Sequence, residues 1–194
     1  MRSISQHKLT VLLATLGAGI VLALLGWGLT INPNKAPNAL VGRQAPEFEA
    51  LLLQGDQDFG ISTAQTGEYL NLSQLRGREL VLNFWASWCV SCREEALILE
   101  NFWKQHRSEG VVVVGIAIQD EASAAQAFAK HFGKTYILAV DEAGSTPIHY
   151  GVTGVPETYF IRKDGTILDK YAGPLTPELL EKYLAEMRGA PRQG

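Results

Sequence analysis

One stretch constrains this chain more than any other: Leu80 to Glu95, LVLNFWASWCVSCREE. An apolar run, Leu80 to Phe84, ends in Trp85 and Trp88. The only two cysteines of the chain, Cys89 and Cys92, follow. The residues after them read as a helix. The cysteines therefore sit where a buried strand hands over to a helix N-terminus. Free backbone N–H groups and the helix dipole stabilise a thiolate at such a place. Two cysteines separated by two residues can close a small disulfide ring and reopen it, the pattern of dithiol–disulfide exchange.

The chain has 194 residues and a net charge of −3. That suffices for one well-buried domain plus an appendage. So mild a charge balance gives no electrostatic case for nucleic acid. Both cysteines belong to one motif, which leaves none for a structural disulfide, so the fold must stand on its hydrophobic core.

Residues 1–8 are polar and positive, with Arg2, His7 and Lys8, and the run Leu9 to Ile31 carries no charge. At about 1.5 Å per residue, a helix of that length crosses a hydrocarbon core of about 30 Å. Trp27 fits an interfacial anchor, and the basic residues ahead of the run predict a cytoplasmic N-terminus with the rest of the chain on the outer face. A cleaved signal peptide is the competing reading. Its apolar region is usually about 7–15 residues and ends in a small-residue site. Here the run is longer, and the nearest alanines, Ala36 and Ala39, have Asn34 and Pro37 where that site needs a small residue. An uncleaved anchor is expected, with Asn32–Ala39 as a polar linker and residues 189–194 as a tail.

In the domain that begins near Leu40, Glu47–Leu53 reads as a first strand, Gly55–Thr66 as a loop excursion and Tyr69–Leu72 as a short extended piece. Ser73–Gly77 looks like a capped single turn. Leu80–Trp85 is apolar enough to be buried on both faces. A helix to about Arg107, a strand at Val111–Ile118, a helix at Glu121–Phe132 and a strand at Tyr136–Val140 follow. Ser145–Tyr150 reads as a helical turn. Glu157–Ile161 and Ile167–Tyr171 form a hairpin about Lys163-Asp164-Gly165. Thr176-Pro177-Glu178 opens a last helix to about Arg188. The order predicts an α/β domain: a mixed sheet, parallel at its centre, with helices on both faces.

Trp88-Cys89-Val90-Ser91-Cys92, with a Val155-Pro156 dipeptide opening a later strand, resembles the thioredoxin fold. Gly42 with Ala45-Pro46-Glu47-Phe48, the run Asn83 to Cys89, and Gly154-Val155-Pro156-Glu157-Thr158-Tyr159-Phe160 narrow the resemblance. It is to the membrane-anchored TlpA/ResA/CcmG (DsbE) group of extracytoplasmic thiol–disulfide oxidoreductases, over about residues 40–188. The resemblance implies that Pro156 is cis beside the disulfide, and that the backbone before it pairs with a substrate peptide. Two positions depart from common patterns. Ser91 stands where the family often has proline. Asn83 stands where ordinary thioredoxins carry a buried aspartate, so their general proton shuttle is absent.

Cys89, nearer the helix start, is the expected attacking thiolate with a lowered pKa; Cys92, a turn further, is the expected buried resolving thiol. At a period of 3.6, Cys92, Glu95, Ile98, Leu99, Phe102 and Trp103 share one stripe, while Arg93, Glu94, Glu100 and Lys104 mostly face elsewhere. Glu95 is then the one carboxylate on the apolar face. Partial burial raises its pKa towards neutrality, and such a group can take and return the proton of a buried thiol. The alternative is a stripe-edge glutamate paired with a base. Glu157 is a second carboxyl expected near the disulfide, to tune the thiolate or select substrate, or else a surface residue at a strand edge. Trp88 and Trp85 are expected to form an apolar lip, although Trp85 equally suits the core. Val155, Pro156, Glu157 and Trp88 make up the expected substrate contacts.

A zinc site needs two more ligands, and His7, His106, His131 and His149 show no paired spacing. Haem attachment requires histidine after the second cysteine, where Arg93 stands. A peroxiredoxin reading needs a lone peroxidatic cysteine. No metal or organic cofactor is expected. The resemblance implies reduction of the haem-site disulfide of apocytochrome c, with recharging by a membrane electron donor of the DsbD/CcdA type. A broader reductase or oxidase of exported proteins, and a non-catalytic thioredoxin-like binding module, are the alternatives.

Overall fold

The structure is a computed structural model that describes residues 3–28, 39–61 and 67–189. The expected linker (Ala39 apart), positions 29–31 of the expected span, positions 62–66 of the loop excursion and the tail beyond Gly189 lie outside the described residues. The chain divides into two units, Met1–Asn34 and Lys35–Gly194.

The first unit is one helix, α1 (Ser3–Gly28). Its segment Leu9–Trp27 has a mean hydropathy of 2.3 and is exposed throughout. At about 1.5 Å per residue it is long enough to cross a bilayer core.

The second unit is built on a seven-stranded sheet. Its strands are β1 (Glu49–Gln54), β2 (Tyr69–Asn71), β3 (Leu80–Trp85), β4 (Val112–Ile118), β5 (Ile137–Asp141), β6 (Glu157–Ile161) and β7 (Ile167–Ala172). Their spatial order is β2-β1-β5-β4-β3-β6-β7. The pairs β3–β4 and β4–β5 are parallel and the rest antiparallel. Every residue of β3, β4, β5 and β6 is buried, as their largely apolar runs suit strands covered on both faces, with Asn83, Asp141, Glu157 and Thr158 as the buried polar exceptions.

Parallel neighbours need crossovers, and α2 (Val90–His106) and α3 (Ala122–Phe132) supply them. Two crossovers of one hand that advance in one direction put both helices on one face. That face holds Val81, Trp85, Val113, Ala117, Leu138 and Phe160, packed against α2, α3 and α5 (Pro177–Arg188). The opposite face, with Leu80, Leu82, Phe84, Val112, Val114 and Ile116, packs on Phe48, Leu72, Leu75 and Tyr150. Tyr150 closes the one-turn helix α4 (Thr146–Tyr150).

Local signals account for most element ends. Gly133 stops α3 in the left-handed region at φ +64°. The Thr176 hydroxyl accepts from the Leu179 N–H ahead of α5. Two expectations shift. The turn before Gly77 spans Leu72–Leu75 and is capped at Asn71, two residues earlier than Ser73: the Gln74 side chain accepts from the Asn71 N–H at 2.7 Å. The first strand pairs antiparallel with β5 as well as with β2, a long-range choice that no local signal encodes.

Candidate active site: the Cys89–Cys92 pair

Both cysteines stand where β3 gives way to α2. The Ala86 carbonyl accepts from the Cys89 N–H at 3.2 Å, which folds the chain back after Trp85. Cys89 then occupies the N-cap of α2, and its sulfur accepts from the Cys92 N–H at 3.1 Å. The two residues are joined as a disulfide with a Cα–Cα separation of 5.3 Å. A sulfur in this position faces the unpaired donors of a helix N-terminus, which favour negative charge. Cys89 is more enclosed than its loop position suggests: it is 4% exposed and Cys92 is 2%.

Two loops frame the pair. On one side, the Val155–Pro156 bond is cis, and the Val155 carbonyl oxygen lies 3.6 Å from Cys89 Sγ. On the other, Gln119 adopts φ +50° at the end of β4. Its carbonyl accepts from Trp88 Nε1 at 3.0 Å. The adjacent Asp120 carboxylate accepts from the Ser87 N–H and hydroxyl at 2.5 and 2.8 Å. Gln119 and Asp120 thus fix the approach to the cysteines, a role no motif advertised. The Ser91 hydroxyl lies 3.5 Å from Cys89 Sγ. The two tryptophans separate cleanly. Trp88 is exposed and lies beside the cysteines, whereas Trp85 is 1% exposed and packs on Phe128 in the core.

Behind the pair lies a buried polar layer. Asn83 and Thr158 face each other across the β3–β6 ladder. Asn83 Nδ2 donates to Thr158 Oγ1 at 3.0 Å and to Glu95 Oε1 at 2.8 Å. The Leu175 N–H donates to Glu95 Oε2 at 3.0 Å. Glu95 is therefore on the inner face of α2, one turn beyond Cys92, and 1% exposed. Burial pushes its carboxyl up to about 7, against the opposing pull of the Asn83 and Leu175 hydrogen bonds and the charge of Lys134.

Glu95 is not the only carboxylate buried on α2. Glu100 is also 1% exposed. It accepts from the Thr135 N–H and hydroxyl and pairs with Lys104 Nζ at 2.8 Å. The segment between α3 and β5 covers a flank of α2 that a single-stripe helical reading leaves to solvent. Glu157 is buried as well, not a surface residue. Its Oε1 accepts from the Thr153 N–H and hydroxyl at 3.1 and 2.6 Å, and its Oε2 pairs with Lys170 Nζ at 2.7 Å. Oε1 thus braces the loop that carries Val155 and Pro156 directly, and Oε2 does so through Lys170 of β7, whose Nζ also donates to the Gly151 carbonyl at 3.1 Å. Among the described residues no cluster of three His, Cys, Asp or Glu side chains is arranged to hold a metal.

A cysteine pair at a helix N-terminus, facing a cis-proline loop across a mixed sheet, places the domain in the thioredoxin-fold class of thiol–disulfide proteins. Comparison with known proteins agrees. The Redoxin family model matches residues 40–186. A thiol:disulfide interchange protein DsbE of Pseudomonas fluorescens is 34% identical over 172 residues, covering 86% of this chain and 88% of its own. A thiol-disulfide oxidoreductase ResA of Bacillus thuringiensis is 26% identical over 76% of this chain and 78% of its own. Among solved structures, a Mycobacterium tuberculosis disulfide oxidoreductase homologous to DsbE superposes with a TM-score of 0.59 at 26% identity, over 72% of this chain and 95% of its own. The chain belongs to the Redoxin family, with the DsbE and ResA thiol–disulfide oxidoreductases as its relatives. It is itself a thiol–disulfide oxidoreductase with a CxxC pair.

Proposed function

We propose that this chain is a membrane-anchored disulfide reductase that acts outside the cytoplasm on exported thiol proteins, foremost the haem-site cysteines of apocytochrome c. The observation that carries the chemistry is Glu95, a buried carboxyl held near neutrality one turn behind a CxxC pair. In the reduced enzyme the Cys89 thiolate attacks one sulfur of the substrate disulfide, forms a mixed disulfide and expels the other sulfur as a thiolate. Cys92 then loses its proton to Glu95 and attacks Cys89 Sγ. The Cys89–Cys92 bond forms, the substrate leaves as a dithiol, and two electrons have passed to it.

The remaining site residues take supporting parts. The Val155 backbone beside cis Pro156 pairs with the extended substrate, and Trp88 offers it an exposed apolar face. Glu157 acts at one remove, by bracing that loop through Thr153 and Lys170. The anchor is α1, with the basic residues of its start on the cytoplasmic side. A compartment that oxidises thiols creates the need for such a reductant, because haem attachment requires free cysteines. The oxidised enzyme is recharged by a membrane dithiol donor of the DsbD/CcdA type. The DsbE and ResA relatives support the thiol–disulfide chemistry of this reading.

The test is trapping. Reduced full-length Cys92→Ser protein, mixed with an oxidised peptide containing Cys-x-x-Cys-His, is expected to accumulate a mixed disulfide at Cys89. The Cys89→Ser protein is expected to form none. Equal trapping by both variants would remove the division of roles between the cysteines.

A further inference from the structure

The chain enters its larger unit at the end of the sheet away from the cysteines. β3 leads from Leu80 to Trp85 and on to Cys89, so Leu80 lies about 17 Å behind Trp85 at about 3.3 Å per residue. β6 is antiparallel to β3 and pairs Ile161 with Leu80, which puts the turn at 162–165 at that far end. The entering segment is tied to this turn. The Gly42 and Ala45 N–H groups donate to the Ile167 and Gly165 carbonyls, both at 2.9 Å. Gln44 Nε2 donates to the Asp164 carbonyl at 3.2 Å and to the Thr166 hydroxyl at 3.3 Å.

The two ends differ in charge. At the cysteine end, where β3, β4 and β5 finish, stand Glu94, Asp120, Glu121, Asp141 and Glu142. Arg93 is the exposed cation among them, and Lys170 is paired to Glu157. At the entry end a cavity of about 170 Å³ opens over Leu72, Leu75, Leu80 and Ile161. Four cations line it, Arg76, Arg78, Arg162 and Lys163, against the single carboxylate of Asp164. Glu47 neutralises Arg76 from outside, and the buried Glu79 pairs with Lys163 Nζ at 3.2 Å. Among the described residues Arg78, Arg162 and the exposed Arg43 beside them have no carboxylate partner. The Arg162 Nε is buried and meets no acceptor, a costly state for a charged donor. The domain as a whole is acidic: the net charge of the chain is −3, and two of its cations, Arg2 and Lys8, precede the domain. The basic end is thus a local concentration of charge against the overall balance.

We infer that the entry end of the domain binds the headgroups of anionic lipids, with the cavity between Arg76, Arg78, Arg162 and Lys163 taking a headgroup phosphate. The inference rests on the anchored reading above. Residues 29–38 span at most about 35 Å, so an anchored domain cannot leave the bilayer surface. That tether allows many orientations, and the charge selects one: the basic end meets the lipid, and the acidic cysteine end faces the aqueous phase and its substrates. Each cation at an anionic surface multiplies binding about fivefold, and salt screens the attraction.

Hydrogen exchange tests this on the full-length protein in phosphatidylcholine nanodiscs, with and without phosphatidylglycerol. Exchange at 76–79 and 162–166 is expected to slow about fivefold or more with phosphatidylglycerol, to recover in molar salt, and to stay unchanged at 86–91. The double variant Arg78→Gln, Lys163→Gln is expected to lose the slowing while reducing a disulfide in detergent at the wild-type rate. Equal exchange in the two lipids, with the protein retained in both kinds of disc, would overturn the inference and leave the anchor standing. Slowing at 86–91 instead would reverse the orientation and overturn it too. The same slowing in phosphatidylcholine discs on adding inorganic phosphate would make the cavity a small-anion site and overturn the lipid assignment. Protein that enters neither kind of disc would sink the anchored reading, and the inference with it.

Discussion

Replacing Glu95 with glutamine should invert its effect on stability as pH rises. The folded protein holds this carboxyl at about 7 against an ordinary 4.5. Between those values the native state keeps a proton that the unfolded chain has released. Stability from this group is full below about pH 4.5 and falls as pH rises to about 7. At about 1.4 kcal/mol per unit over about two and a half units, the loss is about 3 kcal/mol. Glutamine does not titrate and escapes it. Glutamine does lose something at every pH. Its oxygen can accept from only one of the two donors, Asn83 Nδ2 and the Leu175 N–H, and its own NH2 group meets the other. One missing hydrogen bond costs about 1 kcal/mol. The variant is therefore expected to be about 1 kcal/mol less stable than wild type at pH 4.5 and about 2 kcal/mol more stable at pH 8. Urea denaturation of both oxidised full-length proteins in detergent, at matched pH values, reads the difference, because titrating groups that do not interact with Glu95 cancel and Lys134, which does, adds only the coupling between the two. A difference that stays flat from pH 4.5 to 8 would refute the reasoning.

Two further substitutions separate bracing from chemistry. Glu157→Ala leaves the Lys170 ammonium, 6% exposed, without its carboxylate; breaking such a buried pair costs about 3 kcal/mol or more, so a large fall in the denaturation midpoint is expected, and a neutral result would contradict the bracing role. Gly115→Ala should cost about 1–3 kcal/mol by overpacking, since a Cβ there would stand 2.9 Å from Trp85 Nε1 and 3.0 Å from Leu138 Cδ2; calorimetry showing an unchanged melting temperature would mean that the Trp85–Tyr136 layer is looser than described.

Much of this molecule is legible in the sequence because it is written locally. Leu80–Trp85 forms a strand over that whole span, since a continuous apolar run bounded by a cysteine turn has few other uses. Gly133 and Thr176 end and begin helices by conformations that a few neighbouring residues decide. The burial of Glu95 followed from its place one turn after Cys92. What stayed hidden depends on partners distant in the chain. Glu100 reads as solvent-facing until Thr135 arrives to bond it. For Glu157 the sequence leaves a carboxyl near the disulfide and a strand-edge surface residue equally open, until Lys170 of the neighbouring strand pairs with it in the interior. Lys134 resembles any lysine after a helix-ending glycine, and only the tertiary fold turns it over the Trp85 ring. Charged residues are hard to place from sequence because their burial is decided by who meets them.

The central claim is that the Cys89–Cys92 pair donates electrons to substrate disulfides. Its reduction potential tests that claim most directly, measured by equilibrating the full-length protein in detergent against glutathione and dithiothreitol buffers. The account predicts a value well below about −200 mV, in the range of protein reductants. A value near about −120 mV would make the protein an oxidant and contradict it.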